Sequence, residues 1–78
     1  MTTVERMRNV LDSVFEGEID SSAVKESDNL REDLEMNSIS MLYMVMGLEE
    51  EFGIKFENSD FAKMATVSDV IECIEGKL

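Results

Sequence analysis

The sequence predicts an all-α fold, a small bundle of three main helices and one short helix with a long first loop. Apolar residues recur at helical spacing in three separate segments, and no segment alternates between apolar and polar residues as a half-buried strand does. The chain has 78 residues, of which 44% are hydrophobic. That is enough for one small core, so we expect residues 1–78 to form a single domain.

The first predicted helix runs from Thr3 to Phe15. The residues expected on its buried face are Val4, Met7, Val10 or Leu11, and Val14 or Phe15. Thr2 or Thr3 is a suitable N-cap, because a hydroxyl oxygen can accept a bond from an unpaired backbone N–H of the first turn. We expect Gly17 to end the helix.

A long polar loop follows, from Gly17 to Asn37. A loop of this length is unusual in so small a domain and has to be held in place. The apolar residues expected to attach it to the core are Ile19, Val24, Leu30 and Leu34. A short helical turn is predicted near residues 21–24.

The second helix is predicted to begin at Asn37 or Ser38 and to end near Phe52-Gly53. On a helical wheel of about 100° per residue, one face carries Met41, Met44, Val45, Leu48 and Phe52. The opposite face carries a second apolar stripe, which consists of Ile39, Leu42 and Met46, with Tyr43 at its edge.

Only one of these two faces can contact the core of a small bundle. The other forgoes about 1.5–3 kcal/mol of burial for each large side chain. Exposed apolar patches commonly mark contact sites, so the second apolar stripe is interpreted as a docking surface. The alternative is that the wheel is misplaced by about a residue and the stripe packs in the core.

The remainder of the chain predicts a short link, a short helix and a last helix. Residues 54–56 are extended, and Asn58 or Ser59 is expected to cap a short turn through residues 60–64. Thr66 or Ser68 is expected to cap a helix from Val67 to Gly76. Its buried residues are predicted to be Val67, Val70, Ile71 and Ile74.

The net charge limits the possible partners. Seven basic and eighteen acidic residues give a formal net charge of −11, which disfavours nucleic acid and anionic lipid and favours proteins with basic patches. No apolar run is long enough for membrane insertion. No signal peptide is apparent, and we expect a monomeric protein of the cytoplasm.

The residue types argue against an enzyme or a metal site. The chain has no histidine, so the commonest general base and the commonest zinc ligand are absent. Cys73 has no histidine to activate it and is interpreted as a structural residue. The clustered acids Glu32, Asp33 and Glu35 could bind a divalent ion. The segment Asp28-Asn29-Leu30-Arg31-Glu32, however, lacks the glycine and the ligand spacing of a calcium-binding EF-hand loop, so specific calcium sensing is not expected. We therefore expect no catalytic residue and no bound metal.

Ser38 is the candidate functional residue, because it places a hydroxyl at the entrance of a helix with two apolar faces. One interpretation is an N-cap with no further role, since serine is a preferred cap. Alternatively, Asn37 is the cap and the Ser38 hydroxyl is free.

Four segments resemble acyl carrier proteins in particular residues, and the order of the predicted elements extends the resemblance over nearly the whole chain. Glu32-Asp33-Leu34 resembles the acidic approach to the modified serine of that family, and Asn37-Ser38-Ile39 stands where most members have Asp-Ser-Leu. Leu48-Glu49-Glu50-Glu51-Phe52 is similar to the end of the family's second helix, and residues 65–70 are similar to the start of its fourth.

The resemblance implies a carrier function. A phosphopantetheinyl transferase would move 4′-phosphopantetheine from coenzyme A onto Ser38. The terminal thiol of that arm would carry acyl intermediates as thioesters to synthases or acyl-transferring enzymes with basic patches, in fatty-acid, polyketide or another dedicated pathway. The residues that the resemblance and the wheel assign to partner contact are Asn37, Ile39, Leu42, Met46, Glu49 and Glu50.

Departures from the family pattern favour a specialised member. Asn37 replaces the usual aspartate, Ser40 and Tyr43 stand where typical fatty-acid carriers have acids, and Glu35 replaces a glycine. Two alternatives remain open. One is a peptidyl or aminoacyl carrier of a dedicated synthetase, and the other is an acidic interaction module that is never pantetheinylated.

Overall fold

The computed structural model describes residues 2–78, so Met1 of the predicted domain lies outside the described residues. The four α-helices are α1 (Thr3–Val14), α2 (Ser38–Phe52), α3 (Asn58–Phe61) and α4 (Val67–Lys77), with a 3₁₀ turn at Ser21–Ala23 in the first loop. The predicted all-α class, with three main helices and one short helix, is confirmed. Within residues 2–78, no helix combines the length and the apolarity needed to cross a membrane.

Helix α1 begins at a capping box. The Thr2 hydroxyl oxygen accepts a bond from the Glu5 N–H at 3.2 Å, and the Glu5 carboxylate accepts the Thr2 N–H at 3.5 Å, so each residue satisfies a donor of the other. The helix ends one residue earlier than predicted. Glu16 and Gly17 then take left-handed conformations, with φ of +50° and +81°, which turn the chain away.

Among residues 2–78, seventeen apolar residues are buried and form the core. They are Met7, Val10, Leu11, Val24, Leu30, Met36, Met41, Met44, Val45, Leu48, Phe52, Ile54, Met64, Val67, Val70, Ile71 and Ile74. Both predicted core faces, of α2 and of α4, are confirmed. Val24 and Leu30 attach the long loop as predicted, while Ile19 and Leu34 pack against the core with partial exposure. Met36 was not predicted and is also buried.

The long loop is fixed by backbone bonds to the start of α4. The first N–H groups of a helix have no partner within the helix. Here the Val67 N–H donates to the Asp28 carbonyl at 3.0 Å, and the Ser68 N–H donates to the Glu26 carbonyl at 2.8 Å. Between residues 2 and 78, the one β-type pairing is an isolated bridge of Asn29 with Thr66. The loop is therefore an ordered part of the bundle.

Arginines of α1 fasten this helix to its neighbours. Arg6 Nε lies 2.9 Å from Glu51 Oε2, and the guanidinium carbon lies 4.2 Å from the centre of the Phe52 ring. Arg8 donates through Nε and Nη2 to the Val24 carbonyl at 3.2 and 2.6 Å. The first arginine thus holds the end of α2, and the second holds the loop.

The N-cap of α3 is Glu57, so the prediction of Asn58 or Ser59 was wrong. The physical reason is the position of Asp60, whose carboxylate accepts the Glu57 N–H at 2.7 Å and thereby fixes the first turn one residue earlier. Asp60 Oδ2 also lies 3.0 Å from Lys77 Nζ. This ion pair joins α3 to the end of α4. Thr66 caps α4 as predicted, and its hydroxyl accepts the Asp69 N–H at 3.2 Å.

The Asp60 contacts predict a pH-dependent contribution to stability. The Glu57 N–H and then Lys77 lower the pKa of Asp60 from 3.8 to about 2. A folded-state pKa below the ordinary value means that the ionised form stabilises the fold above about pH 4, and that this stabilisation is lost as the pH falls toward 2. We therefore expect the difference in urea midpoint between the wild type and Asp60→Asn to shrink over this interval. A difference that stays constant would contradict the assignment.

Candidate functional site

The entrance of α2 is capped by Asn37. Its backbone is extended, with φ of −106° and ψ of −176°, and its Oδ1 accepts the Ser40 N–H at 2.9 Å and the Ser40 hydroxyl at 3.2 Å. A residue whose side-chain oxygen accepts the backbone N–H three positions further along the chain is the N-cap of a helix. Ser38 is therefore the first helical residue and not the cap, which supports the second of the two sequence interpretations.

The Ser38 side chain is exposed. Within residues 2–78 its hydroxyl has no hydrogen-bond partner. It opens onto a groove of about 350 Å³, which is lined by Arg31, Ser38, Met41, Leu42, Asn58 and Phe61. A free hydroxyl at the edge of a groove can be approached by another molecule and can accept a covalent group.

The turn before the site is built by Asn29 and Asp33. The Asn29 side-chain oxygen accepts the N–H groups of Arg31 and Glu32, both at 2.9 Å, and the Asp33 carboxylate accepts the Asn29 N–H at 2.7 Å. Asp33 thus has a structural role in the acidic approach to Ser38. The arrangement places the Arg31 side chain at the groove.

Glu35 occupies a strained backbone position. Its φ is +55°, in the left-handed region that glycine adopts without steric cost and that other residues adopt at a cost of about 1–2 kcal/mol. The chain reverses there so that the next residue, Met36, can enter the core and donate its N–H to the Leu30 carbonyl at 3.0 Å. The positive φ explains why a glycine, which the resemblance leads one to expect here, would suit this position.

Glu35→Gly is expected to raise the free energy of unfolding by about 0.5–1 kcal/mol, because the relief of strain exceeds the added entropy of the unfolded chain. Urea denaturation of the two proteins measures the change. Glu32→Gly is the matched control, since Glu32 has no positive φ, and it should be destabilising. A loss of stability in Glu35→Gly would contradict this account.

The second apolar stripe faces solvent. Ile39 is 64% exposed, Leu42 53%, Tyr43 56% and Met46 64%. The predicted exposure is confirmed, and the alternative that the stripe packs in the core is wrong. The four side chains continue along α2 from the Ser38 groove, so an apolar surface adjoins the free hydroxyl.

The three glutamates at the end of α2 differ in their contacts. Glu49 Oε2 accepts the Phe56 N–H at 2.8 Å, and Glu51 pairs with Arg6. Glu50 is exposed, and its carboxylate makes no hydrogen bond and no ion pair within residues 2–78. Glu49 and Glu50 are both predicted to contact partners. The Glu50 carboxylate is available for such a contact, whereas the Glu49 carboxylate already binds the backbone of the link that follows α2.

The groove beside Ser38 carries one cation and no carboxylate among its lining residues. Asn37, Ser40 and Tyr43 place no charge on the first turns of α2. The exposed acids Glu32 and Glu35 lie in the loop just before, so the loop supplies negative charge and α2 supplies the apolar contact surface.

Sequence reasoning missed three of the lining residues as site residues, namely Arg31, Asn58 and Phe61. Arg31 was one residue of a polar loop, Asn58 was a candidate cap and Phe61 belonged to a short turn. They meet only because the loop and α3 pack beside the start of α2. The helical periodicity of the sequence does not predict a contact between residues that are distant along the chain.

Cys73 fits the predicted structural role. It is half-buried in α4, and burial, followed by the nearby Asp60 carboxylate, raises the pKa of its thiol. The reactive thiolate is therefore disfavoured. Within the described part of the chain, no group of histidine, cysteine or acidic residues is arranged to hold a metal ion.

Comparison with known proteins places this geometry in a family. Residues 6–74 match the family model described as a phosphopantetheine attachment site. An acyl carrier protein of Thermotoga maritima is 40% identical over 60 residues, which are 77% of this chain and 74% of that protein. An acyl carrier protein of Helicobacter hepaticus is 35% identical over 75 residues, which are 96% of each chain. The matched ranges include most of the described helices.

Proposed function

Because this chain belongs to the acyl carrier protein family, whose covalent cofactor is 4′-phosphopantetheine, we propose that it carries acyl groups on an arm attached to Ser38. The observation that carries the proposal is the exposed Ser38 hydroxyl, which the Asn37 cap leaves free. The groove beside Ser38 fits the group, since it offers a cation for a phosphate and apolar side chains for an aliphatic chain.

The role of Ser38 is that of an acceptor. In the transferase reaction Ser38 Oγ forms a bond to the phosphorus of the 4′-phosphate of coenzyme A. The bond from that phosphorus to the adenosine bisphosphate breaks, and the serine proton passes to a base of the transferase. When bound, the group supplies a terminal thiol that holds acyl cargo as a thioester. The residues of this chain present and orient the arm and catalyse no step themselves.

The test is the intact mass of the protein after incubation with coenzyme A and a broad-specificity phosphopantetheinyl transferase. We expect the wild type to gain the mass of one phosphopantetheine. Ser38→Ala should gain no mass, because Ser38 is the one residue proposed to accept the arm. Ser40→Ala is the matched control and should still gain the mass of one phosphopantetheine.

Three results would overturn the proposal in different ways. No gain in the wild type would favour the non-pantetheinylated interaction module. A gain that survives Ser38→Ala would place the attachment elsewhere. Loading followed by aminoacylation, but not by acylation, would favour the peptidyl or aminoacyl carrier over the acyl carrier that the matched relatives support.

We propose that partner enzymes dock on the second apolar stripe, with Glu50 and Asn37 at its rim. The exposure of the stripe supports this role, since exposed apolar patches commonly mark contact sites and a few well-buried side chains carry most of the binding energy at a typical interface. A partner would combine an apolar pocket with a basic patch opposite Glu50. The first turns of α2 carry no charge, which supports a dedicated fatty-acid, polyketide or other acyl pathway. The partner enzymes of such a pathway would not depend on acids at these positions.

The remaining expectations are that the protein is monomeric and works in the cytoplasm. An unpaired, half-buried Cys73 is consistent with a reducing compartment. The net charge of −11 favours separate monomers through mutual repulsion.

A further inference from the structure

Arg31 is the one charged side chain that lines the groove beside Ser38. It lies on the turn built by Asn29, whose side-chain oxygen accepts the Arg31 N–H at 2.9 Å. The backbone of Arg31 is thus fixed. Arg31 lines this groove together with Ser38 and Phe61.

The guanidinium of Arg31 makes no hydrogen bond and no ion pair within residues 2–78. The other two arginines are both engaged, Arg6 with Glu51 at 2.9 Å and Arg8 with the Val24 carbonyl at 2.6 Å. In a chain with eighteen acidic residues, an arginine without a carboxylate partner is available for an external anion.

We infer that Arg31 binds the phosphodiester of the arm on Ser38 and thereby holds the arm in the groove. This inference rests on the proposed function. The phosphorus is bonded directly to Ser38 Oγ, so its free oxygens lie at the mouth of the groove that Arg31 lines. A guanidinium presents paired N–H donors that match two phosphate oxygens.

The apolar lining of the groove extends the same contact. Met41, Leu42 and Phe61 line the same groove as Arg31 and Ser38, and they suit the aliphatic carbons that come next to the phosphate in the pantetheine chain. Arg31 is therefore a positioning residue. It restricts the arm to one side of α2, next to the second apolar stripe where a partner would receive the cargo.

The test compares apo and holo protein by nuclear magnetic resonance. We expect the Nε–H signal of Arg31 to move when Ser38 is loaded, and the phosphorus signal of the arm to shift away from that of free pantetheine phosphodiesters. In Arg31→Gln the phosphorus signal should return to the free value and narrow as the arm becomes mobile. Arg31→Lys should restore part of the shift, because it keeps the charge and loses the paired donors.

Lys25→Gln is the matched control, because it removes one positive charge from the same loop at a residue that does not line the groove. Its holo form should give the wild-type phosphorus signal. A normal gain in mass with an unmoved Arg31 signal would overturn this inference and leave the proposed function intact. No gain in mass would overturn both. An equal effect of Lys25→Gln and Arg31→Gln would show that only the net charge matters and would also overturn the inference.

Discussion

Leu48→Ser is expected to lower the free energy of unfolding by about 3–5 kcal/mol, whereas Leu42→Ser should change it by no more than about 0.5 kcal/mol. Both leucines belong to α2, but Leu48 is fully buried and Leu42 is 53% exposed. The first substitution removes core contacts and buries a hydroxyl, while the second changes a solvated surface. For a domain of this size, the first loss is a large part of the total stability.

Urea denaturation at a fixed salt concentration measures both changes. The functional result should be the reverse of the stability result. Leu42→Ser, and equally Met46→Ser, should remain folded and weaken acyl transfer to a cognate enzyme, because an apolar anchor of the docking surface is lost. Equal destabilisation by Leu42→Ser and Leu48→Ser would contradict the structure. Unimpaired transfer by both Leu42→Ser and Met46→Ser would overturn the docking proposal.

The features that sequence reasoning predicted correctly depend on neighbours in the chain. The two faces of α2 follow from helical spacing alone, and the second apolar stripe was identified before any contact was known. The caps at Thr2, Asn37 and Thr66 could be predicted in the same way, because each bonds a residue three positions further on. Interactions between residues that are close in the sequence determine the two faces of α2 and these three caps.

Apart from the Glu57 cap of α3, which is local, the features that it missed depend on contacts that sequence periodicity does not report. The carbonyls of Glu26 and Asp28 bind the first N–H groups of α4, and no side-chain pattern reports a backbone acceptor. The sequence predicts partner contact for Glu49 and does not predict that its carboxylate also accepts the Phe56 N–H at 2.8 Å. The groove of Arg31 and Phe61 likewise exists only after the loop and α3 have packed beside α2.

The contact of α1 with α2 at Gly47 is a second feature that only the folded structure reveals. A Cβ atom at Gly47 would lie 2.7 Å from Val14 Cγ2 and 2.8 Å from Val10 Cγ1. Both distances are shorter than van der Waals contact allows. Valine side chains in a helix have one strongly preferred rotamer, so these methyl groups cannot turn away cheaply. The two helices must then separate, or the backbone must shift.

Gly47→Ala is therefore expected to lower the free energy of unfolding by up to about 2 kcal/mol. Overpacking costs about 1–3 kcal/mol, and it outweighs the gain of about 1 kcal/mol that alanine ordinarily brings to a helix interior. Gly76→Ala is the matched control. Nothing lies within 4 Å of a Cβ at Gly76, so this substitution should stabilise the protein by up to about 1 kcal/mol. Thermal and urea denaturation of the two variants give the comparison.

A double variant separates steric crowding from other causes. Val14→Ala removes the methyl group nearest to the new Cβ, so Gly47→Ala should cost less in that background than in the wild type, and the two substitutions should not be additive. The rescue should be partial, because Val10 Cγ1 still lies at 2.8 Å. Additive losses, or a Gly47→Ala protein as stable as Gly76→Ala, would show that α1 and α2 do not approach each other so closely. Loading of Ser38 should remain normal in every folded variant of this set, because the crowded contact lies on the α1 side of α2 and none of its residues lines the Ser38 groove.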